Sequence, residues 1–464
     1  MDGDMTEQDF LKTLESYGQR HILDHYRSLT SHQRSIFLDN SRDLDLRLVF
    51  KLHRQFTSAD NSRRAAADIS PPAVVCIPRT PGEHDDALRA RSTGESLLKR
   101  QKVAVLIVAG GQGSRLGFDG PKGTFPLSPI SRKTLFQLFA EQVRGLSARY
   151  GVTIPLLIMT SGDNHEETMR FFQKNRHFGL APASVYFFSQ GVLPALSPDG
   201  RLILEDKVHF YTSPNGHGGS LKALSDSGLL ARLTRAGYEE LFYCQVDNPL
   251  VRIADPVFLG HHSLAGSQAS TKVVRRRSVE EKVGVYLNIK GRQAIIEYSD
   301  LDEDHMKALD DKGEILYWAG NTAIHVFSLP FIGDLNSDGF ALPYHLARKS
   351  AYVVSSDWEP ASIDVWKFET FVFDAIPLAE RACCMEVARE EEFAPVKNKE
   401  GPDSPDTARQ ALMDLHRAWL QKAGVEVPPD AKVEISPLFA LTPEEAAEKL
   451  KTRKVVASPE IYIE

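Results

Sequence analysis

The chain has 464 residues, 42% hydrophobic and 25% charged, the proportions of a globular protein large enough for two or three domains. Its net charge of −7 excludes a surface built for nucleic acid, so any site for a polyanion has to be local. No apolar run approaches the length of a membrane span, and the acidic start Met1-Asp2-Gly3-Asp4-Met5 is unlike a signal peptide; a cytoplasmic protein without membrane contact is expected.

Residues 6–56 carry Phe10, Leu14, Tyr17, His21 and Leu29 at three- and four-residue steps, and Leu44, Leu48 and Leu52 continue the pattern. That period predicts a small helical N-terminal domain. Residues 60–91, with their prolines and small side chains, read as a connector. From Val103 strands and helices alternate: a strand from Val103 to the break at Gly110, further strands at 155–160, 185–189 and 241–246, helices at 133–149, 164–175 and 219–230. Repeated strand–helix units predict a mostly parallel sheet. The strands expected at 284–289, 294–297 and 322–327 lie closer together and read as antiparallel additions. Beyond Leu378 the composition changes, and a helix at 404–422 opens a small C-terminal domain. The expected division is therefore 1–95, 96–380 and 381–464. Cys76, Cys244, Cys383 and Cys384 contain no C-x-x-C spacing and read as reduced thiols.

The most informative stretch runs from Val103 through Ala109-Gly110-Gly111-Gln112-Gly113 and Arg115 to Pro121-Lys122-Gly123. A buried strand breaks into glycines whose N–H groups can approach an anion without a Cβ in the way, and two cations follow. A polyphosphate is the ligand that such a loop suits. The string G-x-x-x-x-G-K-[ST] is absent, which excludes a P-loop. A dinucleotide fingerprint fails too: Gly111, Gly113 and Gly117 are spaced one residue too long, and the next strand ends in Thr-Ser-Gly without an acidic residue.

These residues, A-G-G-Q-G-S-R-L-G followed by P-K-G, resemble the signature of the UDP-sugar pyrophosphorylases, within them most the eukaryotic-type UDP-N-acetylhexosamine pyrophosphorylases. The resemblance implies an α/β fold with a glycosyltransferase-A-like mixed sheet between the helical N-terminal and small C-terminal domains. It implies a uridylyltransferase that joins UTP and a hexosamine 1-phosphate into a UDP-sugar and pyrophosphate with Mg²⁺ or Mn²⁺, as a monomer or weak homo-oligomer. Arg115 and Lys122 would hold the triphosphate, and Lys367 and Lys397 the further phosphates. Gln190, in a Q-G-x-x-P-A match, would read the uracil edge with backbone from Ala109, Gly110, Gly111, Gly216 and His217. Asp247 ends a strand in Val-Asp-Asn, where a carboxylate can hold a metal against phosphate oxygens. Glu297, Tyr298 and Asn321 would take the sugar, with Phe371 and Phe373 as a wall; strand alternation into the core explains the two phenylalanines equally well. Gly216-His217-Gly218 departs from the N-acetylhexosamine pattern and resembles the UDP-glucose and broad UDP-sugar enzymes, which leaves UDP-glucose or UDP-galactose chemistry as the alternative. A non-catalytic UDP-sugar-binding protein is the alternative of another class.

Overall fold

The computed structural model describes residues 6–58, 68–354, 360–453, 455–456 and 458–464. The chain divides into two compact units, one formed by Met1–Ala66, Gln190–Leu221 and Leu342–Val372, the other by Ala67–Ser189, Lys222–Ala341 and Phe373–Glu464.

The larger unit is built on a ten-stranded mixed sheet. Val103–Val108 lies in its middle with all six residues buried, the burial that its unbroken Val/Leu/Ile run anticipates. It pairs in parallel with Leu156–Thr160 on one side and Glu240–Gln245 on the other. Val185–Ser189 extends the parallel half. Ala319–Ser328 then pairs antiparallel with Glu240–Gln245, and Val285–Ile289 and Arg292–Ile296 form an antiparallel hairpin, the additions that their close spacing suggested. Three strands of the sheet were not expected: the short Ile69–Ser70 beside Val285–Ile289, Ala269–Arg275 beside Ala319–Ser328, and Ala382–Glu386, which pairs in parallel with Ala269–Arg275.

Helix Leu135–Tyr150 covers the sheet between an N-cap at Thr134 and a left-handed Gly151 at φ 66°. Helix Pro81–Lys99 occupies ground read as connector; the overlooked signal is Thr80-Pro81-Gly82-Glu83, a capping box with proline in the first turn. Residues 60–67 of that connector and the acidic start lie outside the described residues. The helix crosses Pro256–Leu264 at glycines: a Cβ on Gly94 would stand 1.9 Å from the Pro256 carbonyl oxygen, and one on Gly260 would stand 1.7 Å from that of Ala90. The helix expected at 219–230 is two, Gly219–Asp226 and Leu229–Arg235, parted by Gly228 at φ 73°.

The C-terminal segments gather around Trp419, Leu420, Val433, Ile435, Ala446 and Ile461. The buried Lys133 ties them to the sheet's helices, donating to Glu141 at 2.7 Å, to Ser436 at 3.1 Å and to Glu464 at 3.3 Å. Burial opposes the Lys133 charge, yet the Glu141 partner carries its pKa up to about 12. Glu434 accepts from the Ile130 and Ser131 amides at 2.7 and 2.9 Å.

The smaller unit packs four helices, Glu7–Ser16, Arg20–Ser28, Ser31–Ser41 and Leu46–Ser58, on segments distant in sequence. Phe10, Tyr26 and Phe37 share one core with Leu193, Leu196, Phe210 and Phe368. Gln19 donates to the Gly200 carbonyl and accepts from the Leu202 amide. A long hairpin, Tyr344–Val354 with Pro360–Thr370, completes the unit. The boundaries expected at 95 and 380 therefore run differently from the packing. Helix Pro81–Lys99 belongs with the sheet unit, and Ala382–Glu386 is a strand of the sheet itself.

Candidate active site

The residues singled out in the sequence fall into two sets, one in each unit. In the larger unit the chain leaves strand Val103–Val108 through Ala109 and turns at Gly110. The loop then folds back on itself. Gly113 N–H donates to Gly120 O at 2.9 Å and Lys122 N–H to Gly111 O at 3.1 Å, with Gly117 left-handed at φ 69°. The fold-back sets Lys122 beside the glycines that begin the loop. Gly111 is exposed, and a Cβ built on it would meet nothing within 4 Å. Arg115 is exposed on the same loop and has no ion-pair partner among the described residues.

Strand Glu240–Gln245 runs parallel to the first and carries Asp247 just past its end, as Val246 N–H donates to Val108 O at 3.0 Å. Lys122 Nζ stands 3.7 Å from Asp247 Oδ2, each side chain about one-sixth exposed. The structure thus brings together a cation and a carboxylate far apart in sequence, at the carboxyl ends of adjacent strands. Lys397 joins them by backbone. Val396 N–H donates to Asp247 O at 2.8 Å, and the buried Asn248 side chain holds the same segment by donating to Glu392 O at 2.7 Å and accepting from Ala394 N at 3.1 Å. Glu392 in turn pairs with the fully buried Lys272, which also pairs with Asp255. The Lys397 side chain is exposed.

Asn248 and Asn164 are residues whose roles the sequence did not disclose. Asn164, read only as a helix start, is fully buried and bonds the carbonyls of Ala109 and Gly111. An asparagine before a helix signals a cap, but the side chain does not cap Helix His165–Lys174.

Glu297 and Asn321 converge on Gly284. Asn321 N–H donates to Gly284 O at 2.8 Å, and the Glu297 carboxylate lies 3.6 Å from where a Gly284 Cβ would be. Asn321 opens a bulge in its strand and its side-chain oxygen accepts from Ala323 N–H at 2.9 Å, with Ala323 left-handed at φ 57°. Tyr298 is exposed. Phe373 is buried at 4% exposure, in a 3₁₀ segment, Val372–Leu378, so strand alternation does not account for it.

In the smaller unit Gln190 is half-buried, immediately before Gly191. The Gly216 loop is pressed onto the end of strand Pro360–Thr370. A Cβ on Gly216, left-handed at φ 85°, would lie 2.4 Å from Thr370 O, and Gly218 N–H donates to that oxygen at 2.9 Å. His217 Nδ1 accepts from Val372 N–H at 3.2 Å, so the neutral ring carries its proton on Nε2. The imidazole stacks on Phe371 at 5.4 Å, and His345 stacks on Phe371 at 4.4 Å. Lys367 lies on the hairpin and donates to the Tyr211 hydroxyl at 3.1 Å.

A cavity of about 1050 Å³ lies elsewhere in the larger unit, lined by residues such as Cys76, Glu83, Arg149, Arg252 and Met385 and by none of the candidates. Several of its charged groups already pair, Arg252 with Glu391 and Lys422 with Glu444.

The chain matches the family described as UTP–glucose-1-phosphate uridylyltransferase over residues 46–461. It is 32% identical over 452 residues to the UDP-N-acetylglucosamine pyrophosphorylase of Saccharomyces cerevisiae, covering 93% of this chain and 94% of that one. It is 35% identical over 480 residues to the UDP-N-acetylhexosamine pyrophosphorylase-like protein 1 of Homo sapiens, covering 95% and 94%. The crystal structure of the uridine diphosphate N-acetylglucosamine pyrophosphorylase from Trypanosoma brucei superimposes with a TM-score of 0.84 at 26% identity, over 100% of this chain and 99% of that one. On a match that spans nearly its whole length, with the mixed nucleotide-binding sheet of those relatives, the chain belongs to the UTP–glucose-1-phosphate uridylyltransferase family.

Proposed function

We propose that the protein transfers the uridylyl group of UTP to N-acetylglucosamine 1-phosphate, giving UDP-N-acetylglucosamine and pyrophosphate. The observation that carries this reading is the joint placement of the fold-back glycine loop, Lys122 and Asp247 at neighbouring strand ends, in a chain similar along nearly its whole length to enzymes named for that product.

A phosphate oxygen of the sugar phosphate attacks the α-phosphorus of UTP in line; the bond from that phosphorus to the β-phosphate bridge breaks, and pyrophosphate leaves. The work of the protein is positioning and charge neutralisation. Glycine-loop N–H groups and Arg115 receive the triphosphate, and Lys122 faces the charge that develops on the leaving group. Lys397 and Lys367 hold the α-phosphate and the sugar phosphate. Gln190 offers both a donor and an acceptor to the uracil edge, with the Gly216-His217 backbone beside it. Glu297, Tyr298 and Asn321 hold the sugar, walled by Phe371 and Phe373.

Asp247 fits a hard cation shared with substrate. It is a single carboxylate, and among the described residues no group of three or more His, Cys, Asp or Glu forms an all-protein cage. Mg²⁺ or Mn²⁺ on Asp247 would supply further neutralisation of phosphate charge.

His217 favours a second reading, a UDP-glucose, UDP-galactose or broad UDP-sugar enzyme. The deciding experiment is pyrophosphate release from UTP with N-acetylglucosamine, N-acetylgalactosamine, glucose and galactose 1-phosphates. N-acetylglucosamine 1-phosphate is expected to give the highest kcat/KM. A preference of about tenfold for an unacetylated sugar, 1.4 kcal/mol, replaces the first reading with the second. UTP binding without pyrophosphate release on any sugar identifies a binding protein instead. The same reading has the enzyme working in the cytoplasm as a monomer or weak homo-oligomer. The cysteines of the described residues are all free thiols, and no described helix is long and apolar enough to cross a membrane.

A further inference from the structure

We infer that Asn164 is a positioning residue for the nucleotide, acting through the backbone of Gly110 and its neighbours; this rests on the reading that the glycine loop receives UTP. Asn164 is 0% exposed and sits outside every motif that suggested the function. Its side-chain nitrogen donates to Ala109 O at 3.0 Å and to Gly111 O at 3.4 Å. Its side-chain oxygen accepts from Ser161 N–H at 2.9 Å, which assigns the amide orientation. One buried side chain therefore fastens both carbonyls that flank Gly110 to the neighbouring strand's exit.

The consequence follows from peptide geometry. In a trans peptide the N–H points opposite to the C=O of the same plane. With Ala109 C=O turned inward to Asn164, the N–H of Gly110 is turned outward. With Gly111 C=O held inward by Asn164 and by Lys122 N–H, the N–H of Gln112 is turned outward as well. Neither Gly110 nor Gly111 N–H donates to another group among the described residues. Glycine is the residue whose peptide planes rotate with least resistance, so a loop of two glycines needs an external fastening to present donors in one direction. Asn164 supplies it. Ala109 itself is held by Met159 O at 2.8 Å, so rotation is left to the planes beyond it, where Asn164 bonds.

The test compares Asn164→Ala, Asn164→Ser and Gly111→Ala by steady-state kinetics and by calorimetric titration with UTP in the absence of sugar phosphate. Asn164→Ala is expected to raise the KM and the dissociation constant for UTP by about fivefold, the loss of roughly one net hydrogen bond. The kcat at saturating UTP and the KM for the sugar phosphate are expected to stay near wild type. Asn164→Ser, which keeps a donor but is too short to reach both carbonyls, is expected to lie between. A purely structural role predicts a lower melting temperature and a smaller active fraction with an unchanged KM, and that pattern overturns the proposal. If Asn164→Ala does not fold, Asn164→Ser decides on the same criterion. Gly111→Ala separates the two levels, because its Cβ enters open space at the face assigned to the nucleotide. An unchanged KM for UTP in Gly111→Ala removes the glycine loop from the nucleotide site. A raised KM there with an unchanged KM in both Asn164 variants leaves the loop in place and refutes the role of Asn164 alone.

Discussion

Lys122 and His217 show how much one side chain can decide. Lys122 has a carboxylate 3.7 Å away and a glycine loop at its back, and in the proposed reaction its ammonium faces the phosphate charge that builds up. Lys122→Ala is expected to lower kcat by about a hundredfold, the size of a lost transition-state contact of about 3 kcal/mol, with a smaller change in the KM for sugar phosphate. Steady-state rates of pyrophosphate release check this, and an unchanged kcat removes Lys122 from the chemistry. His217 is fixed by the Val372 amide on one edge and by Phe371 on its face. An asparagine there keeps an acceptor for the amide and gives up the stack. His217→Asn is expected to shift the kcat/KM ratio further toward the N-acetylated sugar phosphate. Measuring both sugar classes in wild type and variant checks the direction.

At the scale of elements, two packing features carry measurable consequences. Helices Pro81–Lys99 and Pro256–Leu264 touch backbone to backbone at Gly94 and Gly260. A methyl on Gly260 has only the rigid Ala90 carbonyl to push against, so relief requires moving a helix. Gly260→Ala is expected to destabilise the protein by about 1–3 kcal/mol, the usual size of overpacking, even though alanine has the better helix propensity by about 1 kcal/mol. Denaturant unfolding checks it; a stabilised variant would mean that the crossing is looser than described. The second feature is His416 in helix Pro405–Lys422, whose Nδ1 accepts from Ile435 N–H at 3.2 Å. Burial pushes its pKa down to about 4, below the ordinary 6.5. A base depressed in the fold stays neutral while the unfolded chain takes up a proton. Its contribution is therefore whole above pH 6.5 and is lost as pH falls toward 4, by up to about 3 kcal/mol. His416→Gln, which keeps an acceptor, is expected to flatten that part of the stability–pH curve, measured as melting temperature between pH 7 and 4.

For the whole molecule the telling fact is that each unit is assembled from three separate pieces of chain. The N-terminal helices bury Phe10, Tyr26 and Phe37 against Leu193, Leu196, Phe210 and Phe368, all below a tenth exposed. Their own rings also meet, Phe10 with Tyr26 and with Phe37, so the helices and the distant segments complete one shared core. Removing residues 1–58 is expected to leave that apolar surface open and yield aggregated protein, since each large side chain contributes roughly 1.5–3 kcal/mol of burial. Size-exclusion chromatography of the truncated chain, with pyrophosphate release as a second readout, checks this. A monodisperse, active truncation would make the helices an independent appendage.

Short-range signals in the sequence determined a good deal here. An all-apolar run followed by glycines located the central strand and its loop, because strand burial and a glycine turn are each written in a few consecutive residues. The close spacing of 284–289 and 294–297 suggested antiparallel additions to the sheet for the same reason. Only the tertiary structure decided what those segments meet. Lys122 and Asp247 come together because two strands are parallel neighbours, a register that neither strand's own residues specify. Ala382–Glu386 was missed because its two adjacent cysteines and flanking charges carry no strand alternation; its place depends on pairing with Ala269–Arg275. Asn164 was invisible as more than a helix boundary, since a buried amide gains its role from the carbonyls folding brings to it. Hydrophobic period and turn chemistry are local and survive in one dimension. Pairing, close approach and buried hydrogen bonds depend on partners from elsewhere in the chain, and they exist only once the chain has closed on itself.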